Sequence, residues 1–588
     1  MSGRGLRRAR VTVALVVLAG FLGVFVVGGR LFPLRTGYIL ASTQFVPSLV
    51  AFLSGASLSL AFAAVLAAAL AFGRIYCCAF CPLGLLQDAI ATVTALFVAS
   101  DKNPRRFTRP LTWLRQFFLW ATVAVVVAGW SSLAISLTDP YSHFGRISAI
   151  LFRPALIFAA RLPLGGLHAL GVDANIRVVA PWAGMGAIAF PVLVLGLVVV
   201  LTAYRDRLYC NSFCPVGTLL GAFSRWSAFR VSIDAAACRK CGECSKRCKA
   251  HCIDLRTGAV DGSRCVACFN CLGHCENDAI HYRWQWKRAI RATTSRGPLA
   301  DTATRPPTPA LDAPRRAFLT HAAMAAAAFA ASRSSIASAA DGLTPAAEKR
   351  RKQATLVVPP GAESAANFNA RCTACQLCVG ACPTGALQPG TLGRGSGGLL
   401  KPRLDFTVGS CAFLCHRCGQ VCPTGAIGPL ALPEKQVTRI GISLLDLELC
   451  EIRSRGVRCS RCVDGCPTKA LTFTTAADGI RIPTLQPLLC IGCGICEHAC
   501  PVRPKRAITV IGRQIHNRVR KAVDPGAIAG SLSTIGFTTQ AREPVAASVA
   551  LHAYQPSSAE RENLTPSAFQ KETQQGDCQN TDIQSPWC

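Results

Sequence analysis

Cysteine spacing constrains this 588-residue chain more than any other feature. Of 32 cysteines, 24 fall into six quartets. Cys238, Cys241, Cys244 and Cys248 form C-x2-C-x2-C-x3-C, and Cys265, Cys268, Cys271 and Cys275 repeat it. The same spacing, now followed by proline, recurs at Cys372, Cys375, Cys378 and Cys382 and at Cys490, Cys493, Cys496 and Cys500. Two looser versions lie between them, Cys411, Cys415, Cys418 and Cys422, then Cys450, Cys459, Cys462 and Cys466, each also followed by proline. Disulfide scaffolds belong to small secreted domains, and their cysteines do not recur at fixed spacing. Zinc sites use two pairs separated by a long loop and do not repeat a fourth cysteine before proline.

The spacing suits a 4Fe–4S cubane. Three thiolates two residues apart fold a tight loop around one corner of the cluster, each on one iron. The fourth iron takes the last cysteine of a partner motif, so motifs exchange ligands in pairs. Six quartets predict six clusters, about 24 Fe per chain. In the second block the exchange can run between neighbouring motifs or be nested, outer with outer. Segments 423–427 (PTGAI) and 467–471 (PTKAL) read as starts of short helices after the loops. Lys249 and Glu276 stand where proline follows the other quartets, and Cys252 lies four residues beyond Cys248, either an alternative ligand or an unused buried thiol.

Hydrophobic residues make up 51% of the chain and charged residues 16%, a balance that points to a membrane-embedded part. Apolar runs at Val11–Gly29, Leu49–Phe72, Leu114–Leu133 and Gly184–Ala203 are each about 20 residues long, enough to cross a bilayer core. The first reads as a retained signal anchor, since no A-x-A site follows it. Basic residues in the first ten positions and at Lys102, Arg105, Arg106 and Arg109 place those segments in the cytoplasm. The fold class expected is therefore a membrane α-helical module of about four transmembrane helices plus α+β ferredoxin-like multi-cluster domains. Its divisions are a helical module over 1–220, a two-cluster domain over 221–285, and a disordered linker over 286–314. After them come an export-signal-like segment or fifth span over 315–340, a four-cluster domain over 341–515, and a low-complexity tail over 516–588. The net charge of +32 spreads as +12 over 1–203, +10 over 204–320 and +10 beyond. Without a basic domain or stripe, no nucleic-acid partner is expected.

Two further motifs follow the second and fourth runs: Cys77-x3-Cys81-Pro82 in GRIYCCAFCPLG and Cys210-x3-Cys214-Pro215 in RLYCNSFCPVG. Both runs point inward, so the four thiols are expected on one face, as a tetrathiolate metal site, a redox disulfide, a copper site or plain structural turns.

Paired C-x3-C-P motifs on four spans, followed by two ferredoxin motifs, resemble the NapH family of membrane ferredoxins, with NosR, MauN and the CcoG-type proteins as relatives. The second block resembles NapG and MauM, so the whole looks like a NapH–NapG-type fusion. The resemblance implies electrons passing from the quinol pool through six 4Fe–4S clusters to a periplasmic reductase or cytochrome. It places the chain in the bacterial inner membrane, with quinone and the lipid bilayer as further partners. Resemblance to four-cluster subunits of molybdopterin oxidoreductases favours nested exchange in the second block. Arg315–Arg316 in PRRAFLT, a weak apolar run and Ala337-Ser338-Ala339 have the layout of a twin-arginine signal, which NapG proteins carry and which would export the four-cluster block folded. His143, in DPYSHF on the outer loop, is the candidate proton acceptor for quinol oxidation. The rival reading is a CcoG-like copper-reducing or metalloenzyme-assembly factor, with copper at Cys77, Cys81, Cys210 and Cys214. A redox sensor ranks last, since no DNA-binding or signalling segment accompanies the clusters.

Overall fold

The computed structural model describes residues 3–27, 33–55, 60–97, 107–127, 131–159, 185–234, 236–285, 357–390, 400–476 and 478–519. All belong to one compact unit, Met1–Ala522; a second, Val523–Cys588, lies outside the described residues. So do the linker, the twin-arginine segment and most of the tail.

The first apolar run forms an α-helix, Gly3–Leu22, continued by a π-helical turn, Gly23–Val27. At 1.5 Å per residue it is about 37 Å long, enough to cross a membrane. The fourth run forms the helix Met185–Arg205. These are the two described helices long and apolar enough to span by themselves. Both present apolar side chains outward: Val16 is 67% exposed and Leu193 69%.

Among the described residues, neither the second nor the third run supplies one helix long enough to span by itself. Leu49–Phe72 divides between the helices Phe45–Leu53 and Ala61–Phe72. Gly55 ends the first of these with φ +68°, a left-handed conformation only glycine adopts without strain. Phe45–Leu53 instead pairs with Leu34–Ser42 at an 86° bend, and the pair together is apolar enough to count as a third span. The third run gives Thr112–Val125, about 21 Å long and too short to cross, and then Ser131–Thr138. Of the roughly four spans expected, the described residues show two helices long and apolar enough to cross, or three with the bent pair.

The cysteine-dense segments fold as small α+β units closed by antiparallel strand pairs. In the first, β1 (Phe229–Ile233) pairs with β4 (Ile280–Trp284), bracketing both quartets, and β2 (Ile253–Asp254) pairs with β3 (Ala259–Val260) between them. The second block opens with β5 (Leu387–Gln388) against β6 (Arg403–Leu404). It closes with β7 (Thr438–Leu445) against β10 (Ile508–Arg518), around β8 (Leu471–Thr475) and β9 (Arg481–Leu485). Strand β10 runs three residues past the domain end expected at 515.

Candidate functional site: cluster cradles at both ends of a helical module

Short helices sit inside the cysteine motifs, not after them. Leu377–Ala381, Arg417–Gln420, Arg461–Asp464 and Ile495–Ala499 each carry or abut the third cysteine of a quartet. The PTGAI and PTKAL segments, expected as helix starts, are turns. Gly425 and Lys469 take positive φ there, which no helix allows, and the second turn delivers the chain directly into β8.

The thiols sort into six groups by which act on one another. Cys244 is joined by Cys238, Cys241 and Cys275. Cys268 and Cys271 are joined by Cys265 and Cys248. Cys372, Cys375 and Cys378 share Cys422, while Cys411 and Cys418 share Cys415 and Cys382. Cys462 has Cys459, Cys450 and Cys500 around it, and Cys493 and Cys496 have Cys466, with Cys490 beside Cys496. Each group is three cysteines of one motif plus the last cysteine of the adjacent one. The nested exchange expected in the second block is thus overturned: it runs between neighbours. Within each pair a short antiparallel strand pair between the two quartets, β2–β3, β5–β6 or β8–β9, turns the chain back so that the second motif meets the first. These donor sets fit 4Fe–4S clusters, each offering four thiols to four irons.

The groups also touch in sequence. Cys271 acts on Cys244, and Cys378 on Cys418. Cys411 N–H donates to the Cys493 carbonyl at 2.9 Å. The Cys450–Cys500 group joins the Cys490–Cys466 group where Cys500 N–H donates to the Cys496 carbonyl at 3.1 Å.

The two blocks lie against opposite ends of the first helix. At its start, Gly3 packs on Leu272, and Arg10 donates to the Cys268 carbonyl at 3.3 Å. At its end, the carbonyls of Val24 and Phe25 face Gly380, whose own carbonyl accepts from Arg153 at 3.1 Å. Asp88 ties the first end together, pairing with Arg207 (2.8 Å), Lys249 (3.0 Å) and Arg10 (3.2 Å). Burial works against this carboxylate's charge, but those three cations hold its pKa below the ordinary value. Lys249 departs from the proline of other quartets because it clamps the two-cluster unit to the helical module.

Between the blocks, the structure brings Cys77, Cys81, Cys210 and Cys214 together. All are 4–5% exposed, and every pair among them is close enough to interact electrostatically. Cys81 and Cys214 each precede the proline that opens a helix, Pro82–Phe97 and Pro215–Ser224. Cys214 Sγ accepts from Gly217 N–H at 3.3 Å, and Gln87 donates to Cys210 Sγ at 3.2 Å.

Two arginines that motif spacing did not single out complete the arrangement. Arg207 donates to the Cys77 carbonyl at 3.0 Å, and Arg74 donates to the Cys210 carbonyl at 3.1 Å. The sequence carries the signal: R-x-Y-C-x2-F-C-P-x-G occurs at 74–84 and again at 207–217. Gly84 and Gly217 match as well, since a side chain on either would strike the carbonyl of its own motif's first cysteine and the other motif's arginine.

His143, expected on the outer loop, lies on a buried helix, Pro140–Ile147. It stacks on Phe190, and burial, reinforced by Arg146, pushes its pKa down to about 3. Its neighbours were not anticipated. Asp139 caps that helix by accepting from the Tyr141 and Ser142 N–H groups, and Gly145 packs directly on the Cys375 carbonyl.

Comparison with known proteins agrees with the cradles. A family model described as a 4Fe-4S dicluster domain matches residues 370–426 and again 456–503, so each match takes in neighbouring quartets. A second, described as a 4Fe-4S binding domain, matches 54–98 and 187–234, the two C-x3-C-P segments. The ferredoxin-type protein NapF of Escherichia coli K12 is 32% identical over 152 residues, which is 84% of NapF and 26% of this chain. The methylamine utilization ferredoxin-type protein MauM of Methylophilus methylotrophus is 30% identical over 192 residues, 79% of MauM and 30% of this chain. MauM of Methylorubrum extorquens is 29% identical over 172 residues, covering 76% of it and 28% of this chain. No solved structure matches. Cradles and likeness together define a ferredoxin-type 4Fe–4S electron-transfer protein. The chain belongs to the Nap/Mau-type polyferredoxins, the family of NapF and MauM.

Proposed function

We propose that this polyferredoxin is a NapH–NapG-type fusion in a bacterial inner membrane, carrying electrons from the quinol pool across the bilayer to a periplasmic redox enzyme or cytochrome. The observation that supports it most is the placing of one iron–sulfur block at each end of the first helix. Exposed apolar side chains around the helical module, Leu15, Phe117 and Val200 among them at 60–65%, suit contact with lipid. The 24 quartet cysteines hold six clusters, whose chemistry is one-electron transfer. The chain's own residues fix the cluster loops, through Lys249 and Arg10 at one end and Arg153 and Gly145 at the other, and bury them from water. Quinol oxidation releases two protons and two electrons, which leave singly through the clusters. Asp139, whose carboxyl pKa burial raises to about 6, is the better candidate proton acceptor; His143, held down to about 3 by burial and Arg146, takes up a proton less readily.

The test is anaerobic reduction of the purified chain in liposomes by decylubiquinol or a menaquinol analogue, followed as bleaching of cluster absorbance. Reduction by either quinol supports the reading; reduction by dithionite alone overturns it. The 4Fe-4S family models that match 54–98, 187–234, 370–426 and 456–503 favour electron transfer over the copper-handling alternative.

A further inference from the structure

The helical module meets the two-cluster unit at a cleft walled by five cations, and we infer that this cleft binds a phosphate group, that of an anionic phospholipid in the leaflet beside it. The inference rests on the proposed membrane residence of the module.

One wall comes from the module. Arg109 stands just before the helix Thr112–Val125, and Arg205 and Arg207 lie at and just past the end of the spanning helix Met185–Arg205. The two-cluster unit supplies the other wall through Lys249 and Arg264. No Asp or Glu lines the cleft. The walls are pinned together, since Arg264 Nη1 donates to the Thr108 carbonyl at 2.8 Å and Thr108 N–H donates to the His251 carbonyl at 3.4 Å.

Three carboxylates stand behind these walls, and they do not balance them. Asp88 is shared among Arg207, Lys249 and Arg10, Asp261 pairs with Arg264 at 2.7 Å, and Asp206 lies 3.9 Å from His251. Among the described residues no carboxylate pairs with Arg109 or Arg205. Arg264 is 3% exposed, and its Nη2 is buried without a hydrogen-bond partner. A buried donor left unmade is costly. Guanidinium forks match the paired oxygens of a phosphate, so an anion of this class supplies both the missing charge and the missing acceptor.

The place of the cleft selects a lipid phosphate. Arg205 is the last residue of a spanning helix, so the cleft opens where the hydrocarbon ends. Tyr204 and Trp113, beside its lining residues in the chain, are 56% and 69% exposed, and the Arg205 guanidinium sits over the Tyr204 ring at 4.9 Å. Exposed Trp and Tyr side chains mark the headgroup level of a bilayer. Leu111 and Phe117, also exposed, continue an apolar surface along the next helix for acyl chains to lie on. Basic pockets between helices at the cytoplasmic face are where acidic headgroups bind. One lipid phosphate held between Arg205 and Arg264 would join the two-cluster unit to the bilayer.

The test is calorimetric titration of the full chain, clusters loaded, in uncharged detergent with short-chain phosphatidylglycerol, short-chain phosphatidylcholine and inorganic phosphate. Phosphatidylglycerol should bind saturably and roughly tenfold tighter than the other two. R109Q/R205Q should lose that preference, while R7Q/R8Q, which removes two exposed cations from the first helix, should keep it. Equal binding of the two lipids by the wild type overturns the inference whether or not the variants fold, and so does equal loss in both double variants. Inorganic phosphate binding as tightly as phosphatidylglycerol overturns the lipid source. Flotation of the chain with phosphatidylcholine vesicles reads membrane residence by itself. A chain that floats but shows no lipid preference loses only this site, whereas one that does not float loses the membrane reading.

Discussion

The thiol of Cys252 is 1% exposed and 3.5 Å from that of Cys248, with Cys265 also against it. Cys248 has the geometry of the ligand, grouped with Cys265, Cys268 and Cys271. C252S should therefore retain all its iron, C248S should keep its cluster through Cys252 with an altered potential, and C248S/C252S should lose about four irons. Iron assay with EPR of the three variants checks this. His516, on β10, has both ring nitrogens buried without partners, and burial pushes its pKa down to about 4. The unfolded chain takes up this proton first, near pH 6.5, so stability falls as pH drops from 6.5 towards 4. H516F should remove about 1 kcal/mol of the loss between pH 7 and 5, after discounting for partial exposure, read as a smaller shift in thermal midpoint. The cysteines that the structure gathers into groups of four were legible because cubane chemistry dictates such spacing. Arg74 and Arg207 carry a signal in the repeated R-x-Y-C-x2-F-C-P-x-G, but what they and Asp88 hold was not legible, because those partners lie far along the chain.

Elements were less legible than residues. Apolar composition marked the second and third membrane runs but not their breaks, since hydropathy says nothing of the turn at Ser54–Gly55 or the 86° bend between Leu34–Ser42 and Phe45–Leu53. The short ferredoxin helices were misplaced for a related reason: PTGAI has an ordinary helix-start composition, and only Gly425 in a left-handed conformation shows that the chain turns there. The helix Pro140–Ile147 is where a small element carries a large consequence, since Gly145 admits the Cys375 loop and touches the Phe25 ring. Gly145→Val should push that loop away, slowing electron transfer into the four-cluster block at least tenfold while the chain's iron content stays unchanged. Stopped-flow reduction of the block beside an iron assay separates those two effects.

For the molecule as a whole, the arrangement around the first helix makes a claim about sides. Lys505 on the four-cluster block and Lys246 on the two-cluster unit are 71% and 60% exposed. In sealed, uniformly oriented vesicles, a membrane-impermeant amine reagent should modify one from outside and the other only after permeabilisation. Modification of both from one side would remove the transmembrane arrangement. The two cysteine-dense segments were readable from composition shifts and motif counts. How the blocks meet the module was not, because those contacts join backbone carbonyls to distant arginines and leave no periodic trace.

On the proposed transmembrane arrangement, each electron that passes between the redox blocks at the two ends of the roughly 37 Å first helix is a current through the bilayer. Moving one elementary charge across 100 mV is worth about 2.3 kcal/mol, so traffic through such a chain would be hastened or opposed by the membrane potential according to its direction. Uncoupling the vesicles would then change the turnover of the whole chain while leaving each block's own reduction rate alone.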